Sequence, residues 1–557
     1  MKIDYLNEKR LIVKAETTNI HASSIFNHII YPLVQKINAG TLYVSNGFAN
    51  VVAKAHLDDQ TIIDTYDALV FGQASKSQGL NRQLDKETSA HLLMFTLEFK
   101  KFWLTLEKYA FIEDTLESAS NLTSLNNTIH RVVSEQLESI ISKLNKEPHH
   151  FKQMPFMGAN AFLSITTPDY HVPNTYASLN SIPKITQVNF SVPYINRTKS
   201  NTRTGLFSHT NQLIDVNSIN TSDWLSIPIK VGKLLVLVFF NKKYIHHGVG
   251  LLNLFATANE KETSNKRPDA LCFFGVKDKA FDGQYHYDET NDLYVGTIYN
   301  HSRNDYFGYM KKMILTLHNL YMIKKQVLPI HGAMVTVKLL NGKTRNIVII
   351  GDSGAGKSES LEAFRMIGDA LIQDMTIIFD DMGTFSYSEN QVVANGTEIG
   401  AFVRMDDLDS AYPFENMDNA LFLNPERVNA RLIVKVTDYE TVIKNHAIDM
   451  VLYANNYENN DHAIEFFSSW EDAVSVFKKG ARVSKGTTSE LGMAENFFAN
   501  PFGPVQNQKI TSTLIDDYFK RLFESNVKVG VLYTRLGIEG FEVEGPRKAA
   551  ESLLKSI

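Results

Sequence analysis

The sequence predicts an α/β fold in which a mixed sheet surrounds a phosphate-binding loop. Strand-like and helix-like stretches alternate from about residue 231 to the C-terminus, which is typical of such a fold. A glycine-rich loop stands between a short β-branched stretch and an amphipathic helix. A third pattern, the helical periodicity within residues 1–150, predicts an extra, mostly helical region before the α/β part.

Length and composition define the class of protein. A chain of 557 residues exceeds one ordinary core, so we expect two or more domains. The net charge of −5 gives no general attraction for nucleic acid or anionic membranes, and no apolar stretch reaches membrane-spanning length. The only cysteine, Cys272, lies in an apolar run, which predicts a core residue and excludes a disulfide framework. We therefore expect a cytoplasmic protein that binds neither nucleic acid nor membrane.

The N-terminal region, residues 1–150, is predicted to contain a pair of packed helices. A second helical face follows at Ile129–Leu144. Oligomerisation, regulation and simple packing are all compatible with such a pair. The first helical face is formed by Leu92, Leu93, Phe95, Thr96, Phe99, Phe102, Trp103, Leu106 and Tyr109.

Two α/β domains are predicted after the helical region. Residues 151–325 form the first of them, with many turn signals before residue 230 and a buried-strand candidate at Lys233–Phe240. Residues 326–557 form the nucleotide-binding catalytic domain.

A motif of the form G-x-x-x-x-G-K-S identifies the phosphate-binding loop. It follows the strand candidate Asn346–Ile350 and opens the amphipathic helix. Glycines let successive backbone N–H groups point at one phosphate, and the helix N-terminus adds partial positive charge. A chance glycine turn is the alternative, and the flanking strand and helix disfavour it. The residues predicted to bind nucleotide here are Gly351, Asp352, Ser353, Gly354, Ala355, Gly356, Lys357, Ser358 and Glu359.

Further candidate groups lie on either side of the loop. Asp380 and Asp381 end a hydrophobic stretch downstream, which is where a nucleotide enzyme holds its metal ion, although two aspartates on an exposed turn are the alternative. His331 lies just upstream, and a lone histidine is more often structural than a ligand. The dipeptide Lys311–Lys312 is, by itself, most often a solvated pair on a helix.

The order of these groups resembles ATP-dependent phosphoenolpyruvate carboxykinase. That family shows a Y-x-G-E-M-K-K segment, a helix, a histidine, a kinase loop and an aspartate pair, in the order found here from Tyr306 onward. The resemblance covers roughly residues 300–545. It continues in Glu398–Arg404, in Arg431, in Lys485–Gly492 with Asn500–Gly503, and in Val529–Thr534.

The resemblance implies a carboxykinase-type catalytic domain that, with the help of two divalent ions, converts oxaloacetate and ATP reversibly to phosphoenolpyruvate, ADP and carbon dioxide. It also implies that residues 151–325 form the other wall of the active-site cleft, and ligand sites commonly occur between domains. A site of amine, imidazole and carboxylate ligands favours Mn²⁺ over Mg²⁺. The implied ligands are Lys312, His331 and Asp381 for Mn²⁺, and Ser358 with Asp380 for the Mg²⁺ or Mn²⁺ that accompanies ATP. The implied catalytic residues are Lys311, Lys312, Lys357, Asp381, Arg404 and Arg431. Tyr306, Arg404 and Arg431 would bind substrate, and Thr487 would contact the nucleotide.

The sequence also departs from the family. Tyr309 stands where the family has glutamate, and Arg404 where it has lysine. The N-terminal R-S-P-K-D-K motif has no clear counterpart, and Arg197 and Arg203 are candidates for its arginine by composition only.

The loop G-D-S-G-A-G-K-S-E is more similar to that of HPr kinase/phosphorylase. An alternative is therefore a kinase of this superfamily that phosphorylates another small-molecule or protein hydroxyl. A third reading is a nucleotide-binding regulatory protein, which the retained lysine, serine and aspartate pair disfavour.

Overall fold

The chain packs into two compact units in the computed structural model. Unit 1 comprises Met1–Thr166 and Lys184–Val192, and unit 2 comprises Thr167–Pro183 and Pro193–Ile557. Because residues 193–325 and 326–557 share unit 2, the predicted cleft between two domains stays a prediction. The structure describes residues 2–15, 25–71, 85–113, 122–145, 155–203, 205–277, 283–367, 371–405, 414–460, 462–484 and 492–557.

Unit 1 is an α/β unit with a mixed sheet. Its strands lie in the order β1-β2-β3-β4-β5, of which β2, β3 and β4 are parallel and the outer two pairs antiparallel. The elements are β1 (Lys2–Leu6), β2 (Arg10–Lys14), α1 (Tyr31–Asn38), α2 (Asn46–Lys54), α3 (Gln60–Phe71), α4 (Lys86–Thr105), β3 (Glu107–Glu113), α5 (Leu122–Asn145), β4 (Ala161–Thr166) and β5 (Lys184–Phe190).

The predicted helical pair corresponds to α4 and α5, which pack against each other. One part of that prediction is wrong, because α4 ends at Thr105 and Tyr109 lies in β3. Both faces of β3 are buried along nearly its whole length. The strand therefore lacks the alternation of polar and apolar residues that identifies a half-exposed strand. The spacing of Leu106 and Tyr109 therefore continued the helical pattern by coincidence.

Unit 2 contains the remaining elements. Its strands are β6 (Tyr194–Asn196), β7 (Ser208–His209), β8 (Trp224–Val231), β9 (Leu234–Asn241), β10 (Ala256–Thr257), β11 (Ala270–Val276), β12 (Gln284–Asp288), β13 (Leu293–Tyr299), β14 (Leu328–Leu339), β15 (Thr344–Ile350), β16 (Ile372–Ser388), β17 (Gln391–Gly396), β18 (Gly400–Arg404), β19 (Leu421–Leu423), β20 (Arg431–Lys435), β21 (His446–Ala447), β22 (Met450–Asn455), β23 (Ile464–Phe466), β24 (Ala481–Ser484), β25 (Gly492–Glu495) and β26 (Lys528–Tyr533). Its helices are α6 (Ile245–Gly250), α7 (Glu260–Asn265), α8 (Phe307–Lys324), α9 (Lys357–Ile367), α10 (Tyr439–Ile443), α11 (Trp470–Lys479), α12 (Gln508–Glu524) and α13 (Glu544–Ser556).

A mixed sheet carries the phosphate loop, as predicted. Among the described residues its order is β21-β17-β16-β14-β15-β22-β26-β23, and β15, β22 and β26 are parallel. Apolar residues of α9 and α13 pack on one face, and those of α8, α11 and α12 on the other. The carboxyl ends of the parallel strands therefore meet at one edge, where ligands bind in such sheets.

A second sheet of unit 2 has the order β8-β9-β11-β13-β12-β7, with β10 paired to β8. The predicted strand Lys233–Phe240 corresponds to β9, and Cys272 is buried in β11 as expected. Burial raises the pKa of the Cys272 thiol, which fits a core residue. A smaller sheet, β18-β20-β19-β6, carries two of the predicted substrate residues. No described helix offers an apolar window of the length needed to cross a bilayer.

Candidate nucleotide and metal site

The phosphate loop joins β15 to α9, as the motif predicts. Groups outside the loop, and its own lysine, bind its carbonyl oxygens. Asn456, which follows β22, donates to the carbonyl of Gly354 at 2.9 Å, and Thr534, which follows β26, donates to that of Ala355 at 2.8 Å. The Lys357 Nζ lies 3.0 Å from the carbonyl oxygen of Asp352. Since the first N–H groups of a helix have no intrahelical acceptor, the start of α9 provides donors for a phosphate.

Gly356 is required by the shape of this loop. Its φ is +91°, a conformation that side chains other than glycine rarely adopt. A Cβ at this position would lie 2.6 Å from both the Cβ and the Oγ1 of Thr534, which itself holds the loop. The loop can therefore keep its path only with glycine here.

The aspartate pair lies beside the loop, but not where the sequence suggested. Instead of ending a strand, Asp380 and Asp381 lie inside the long strand β16, which continues to Ser388. Asp381 has a φ of +145°, an unusual backbone for a residue with a side chain, and such strain is often kept at functional sites. Ser358 Oγ lies 3.3 Å from Asp380 Oδ1. Burial and the charge of Asp381 raise the pKa of Asp380.

Lys311 is buried and Lys312 is partly buried, and both form ion pairs, so the usual interpretation of a Lys-Lys pair as solvated does not apply. Both Lys311 and Lys312 place Nζ 2.6 Å from Asp381 Oδ2, and Lys311 also lies 3.0 Å from Glu398 Oε1. Burial, with Lys311 beside it, lowers the pKa of Lys312 to about 8. Burial alone would lower the pKa of Lys311 too, but the charges of Asp381 and Glu398 hold it above the usual value.

His331 is held in an orientation suited to a metal ligand. Its Nδ1 lies 2.8 Å from the carbonyl oxygen of Ala499, so this nitrogen carries the proton and donates it. Burial and the positive charge of Lys357 lower the pKa of His331, which keeps the ring neutral. The unprotonated Nε2 then faces Asp381 Oδ1 at 2.8 Å. An imidazole lone pair and a carboxylate oxygen directed together, with a carbonyl fixing the tautomer, are donors of the kind that could hold a metal ion.

The predicted substrate arginines oppose each other across two antiparallel strands. Arg404 on β18 is the register partner of Arg431 on β20. Like charges in this position repel, so an anion between or above them is favourable. The Arg431 guanidinium lies 5.3 Å from the centroid of the Phe402 ring, and its buried Nε has no hydrogen-bond partner among the described residues.

Phe402 connects these arginines to the lysine cluster. Lys311 Nζ lies 5.6 Å from the centroid of its ring, and the Tyr306 ring lies 6.0 Å from it. Gly308 allows this packing, because a Cβ at that position would overlap the Tyr306 ring. The predicted substrate residues Tyr306, Arg404 and Arg431 are therefore close to the predicted metal ligands.

Phe502 and Arg203 complete the site, and the sequence did not assign them roles in it. The Phe502 ring centroid lies 4.7 Å from Lys312 Nζ and 4.9 Å from the Arg203 guanidinium carbon. His331 packs against the same ring, at 6.5 Å between centroids. Of the two arginines noted by composition, Arg203 is thus brought to the cluster. Arg197 is exposed and pairs with Glu426 at 3.7 Å. No local pattern around Arg203 could have distinguished them.

Glu398 was noted only as part of a family-like segment, yet it is fully buried beside Lys311. Burial raises its pKa to about 7, despite the opposing effect of Lys311. Glu359 lies in the first turn of α9. Thr487 and the segment 485–491 lie outside the described residues, as does the stretch 406–413.

The assembled site is strongly cationic, which favours polyanionic ligands. Among the described residues, three carboxylates of this site, Asp380, Asp381 and Glu398, lie near six cationic side chains, and a fourth carboxylate, that of Asp352 in the loop, is paired with Arg482. The six cationic residues are Arg203, Lys311, Lys312, Lys357, Arg404 and Arg431. The chain matches no protein-family model and no curated protein. Its function must therefore be argued from this geometry.

Proposed function

We propose that this protein catalyses the ATP-dependent decarboxylation and phosphorylation of oxaloacetate to phosphoenolpyruvate, in the manner of ATP-dependent phosphoenolpyruvate carboxykinase. The observation that carries the proposal is the convergence of Lys312, His331 and Asp381 beside a phosphate loop. A loop kinase needs the phosphate site and the aspartates, but it has no general need for a lysine with a lowered pKa beside them, such as Lys312.

In the proposed nucleotide site, the backbone N–H groups at the start of α9 and Lys357 hold the β- and γ-phosphates of ATP. Lys357 is already buried beside the loop and exchanges the carbonyl of Asp352 for phosphate oxygen. Ser358, beside Asp380, is placed for the ion that accompanies ATP. These proposed contacts to ATP are the ones that the sequence motif predicts for the loop.

The residues present fit the implied Mn²⁺. His331 offers a lone pair from a fixed tautomer, Asp381 an ionised carboxylate, and Lys312 an amine whose lowered pKa eases loss of its proton. When bound, such an ion would act as a Lewis acid toward the oxygens of the keto acid. Burial would raise the pKa of Asp381, but the charges of Lys311 and Lys312 hold it well below its usual range.

The acceptor site would be formed by cationic and aromatic groups. Arg203, above Phe502, is placed to bind a carboxylate of oxaloacetate on the Lys312 side. Arg404 and Arg431 lie on the Phe402 side and are placed to neutralise the phosphoryl group in transfer. Tyr306 packs against Phe402 near the departing carbon dioxide.

The proposed reaction breaks the bond between C3 and the C4 carboxylate of oxaloacetate. The electron pair remains on the resulting enolate of pyruvate, and carbon dioxide leaves. The enolate oxygen then attacks the γ-phosphorus of ATP, and the electrons of the broken P–O bond leave with ADP. Lys311, Lys357 and the two β18–β20 arginines stabilise the negative charge throughout.

A second candidate is a kinase that transfers the γ-phosphate to a hydroxyl of another small molecule or a protein. The observation that favours it is Asp380, whose pKa is raised by burial and by Asp381 and which lies near Ser358. A carboxylate of higher pKa beside a transferring phosphate can remove the proton of a hydroxyl. An enolate needs no such base.

The test is an assay of the purified protein with ATP, Mg²⁺, Mn²⁺ and oxaloacetate, in which phosphoenolpyruvate is measured. We expect turnover in the wild type, loss of at least about 100-fold in Lys357→Ala, and no change in Arg521→Gln. Arg521 is a suitable control because it is a partly exposed arginine on α12 that pairs with Asp517. ATP binding without phosphoenolpyruvate would contradict the proposal, and phosphoryl transfer to hydroxyl acceptors would then support the kinase. Binding without any transfer would indicate a regulatory protein.

A further inference from the structure

Asp352 places a carboxylate inside the loop that is proposed to bind a polyphosphate. The side chain is buried, so water does not screen its charge. Its Oδ2 accepts hydrogen bonds from Arg482 Nε at 2.8 Å and from Asn496 Nδ2 at 2.5 Å, and its Oδ1 accepts one from the backbone N–H of Ser353 at 2.7 Å. An unpaired anion here would repel phosphate.

Arg482 is itself fixed by its surroundings. It lies on β24, is buried, and donates from Nη1 to Ser484 Oγ at 2.6 Å. Asn456 provides a second connection between the same strand and the loop, because its Nδ2 donates to the carbonyls of both Val483 and Gly354, at 2.8 and 2.9 Å. The loop is thus joined to β24 at two points.

We infer that Arg482 is a positioning residue of the phosphate loop: it cancels the charge of Asp352 and anchors the loop to β24, and so makes the loop competent to bind a nucleoside triphosphate. The inference rests on the proposed nucleotide site and adds a residue that no motif marks. Arg482 does not need to touch the phosphates, since its effect passes through the Asp352 carboxylate. Removal of both the Arg482 and the Asp352 charge should therefore weaken nucleotide binding less than removal of the Arg482 charge alone.

The test uses ATP with Mg²⁺ as the probe and isothermal titration calorimetry of the full chain. Arg482→Gln should weaken binding at least about tenfold, because a buried carboxylate is left beside the phosphates. The double variant Asp352→Asn with Arg482→Gln should recover at least about fivefold of that loss. Arg482→Lys keeps the positive charge but loses the planar guanidinium with its several N–H donors. Its affinity for ATP should lie between those of Arg482→Gln and the wild type. Arg521→Gln, which removes a similar but exposed Nε–carboxylate pair on α12, should bind as the wild type does.

Each outcome decides the question. Binding by Arg482→Gln within about twofold of the wild type, or a double variant as weak as Arg482→Gln, would overturn the inference, the second because a purely structural loss would not be relieved. If Arg482→Gln fails to fold, the double variant is compared with the wild type. If the double variant binds ATP more than about tenfold more weakly than the wild type, the inference is overturned, and a smaller loss of affinity supports it. If the wild type itself binds no ATP, the proposed function fails. That result differs from one in which the wild type binds ATP and only the variants behave otherwise than expected, which concerns Arg482 alone.

Discussion

Substitution of Gly356 by alanine should separate two requirements of the phosphate loop, its backbone conformation and its contact with Thr534. At a φ of +91°, any residue other than glycine is strained by about 1–3 kcal/mol. The new Cβ would also lie 2.6 Å from Thr534 Cβ, whereas ordinary contacts begin near 3.4 Å. One of the two segments must therefore move by about 0.8 Å or more, a misplacement that can reduce a rate by about 100-fold.

Gly342 provides a matched control. Its φ is +82°, but no atom lies within 4 Å of a Cβ built on it, and it lies in the turn between β14 and β15. Gly342→Ala should therefore share the backbone strain and lower the melting temperature without affecting nucleotide binding. Gly356→Ala should lower both the melting temperature and the affinity for ATP with Mg²⁺, the latter by at least about tenfold. Calorimetric titration and thermal unfolding measure the two effects. Equal ATP affinities of the two variants would show that the contact between residue 356 and Thr534 does not matter for nucleotide binding.

Other predictions concern charge. Lys311→Met should lower the free energy of unfolding by about 3 kcal/mol, because the buried Glu398 loses its partner. Adding Glu398→Gln should restore most of that stability, and a double variant no more stable than Lys311→Met would contradict the prediction. Arg431→Met should lower kcat/KM for oxaloacetate at least about 100-fold. It should not lower the melting temperature, because it relieves the repulsion between Arg431 and Arg404. A large loss of stability would count against the predicted role of Arg431. Burial lowers the pKa of Lys108 to about 8, so the folded protein binds fewer protons than the unfolded chain up to pH 10.5, and stability should rise in that window. In urea unfolding, the free energy of unfolding of the wild type should thus rise by about 3 kcal/mol relative to that of Lys108→Met between about pH 8 and 10.5, and a constant difference would refute this.

Local patterns predicted the strand, loop and helix around Gly351–Ser358 because the motif fixes its own geometry over a few residues. The same approach misplaced Tyr109, since a strand buried on both faces lacks alternation. It also ended β16 at the aspartates, because two carboxylates usually stop a buried strand, whereas here the two lysines of α8 compensate the charge of Asp381.

The family-like segments gave most of the candidate site, including the lysines, His331, Asp381 and the two arginines of the β18–β20 pair. They included Phe502 without assigning it a role, and they gave neither Arg203 nor Arg482, because these arginines reach the site through contacts between distant parts of the chain. Composition alone left Arg197 and Arg203 equivalent. Only tertiary packing against Phe502 distinguishes them.

The central claim is that the phosphate loop and the Lys312–His331–Asp381 cluster act on one reaction. The most direct test follows the label of γ-³²P-ATP incubated with the protein, Mg²⁺, Mn²⁺ and oxaloacetate. We expect labelled phosphoenolpyruvate in the wild type and none in Asp381→Asn. Label that remains in ATP, or that appears only as inorganic phosphate or on another acceptor, would contradict this expectation.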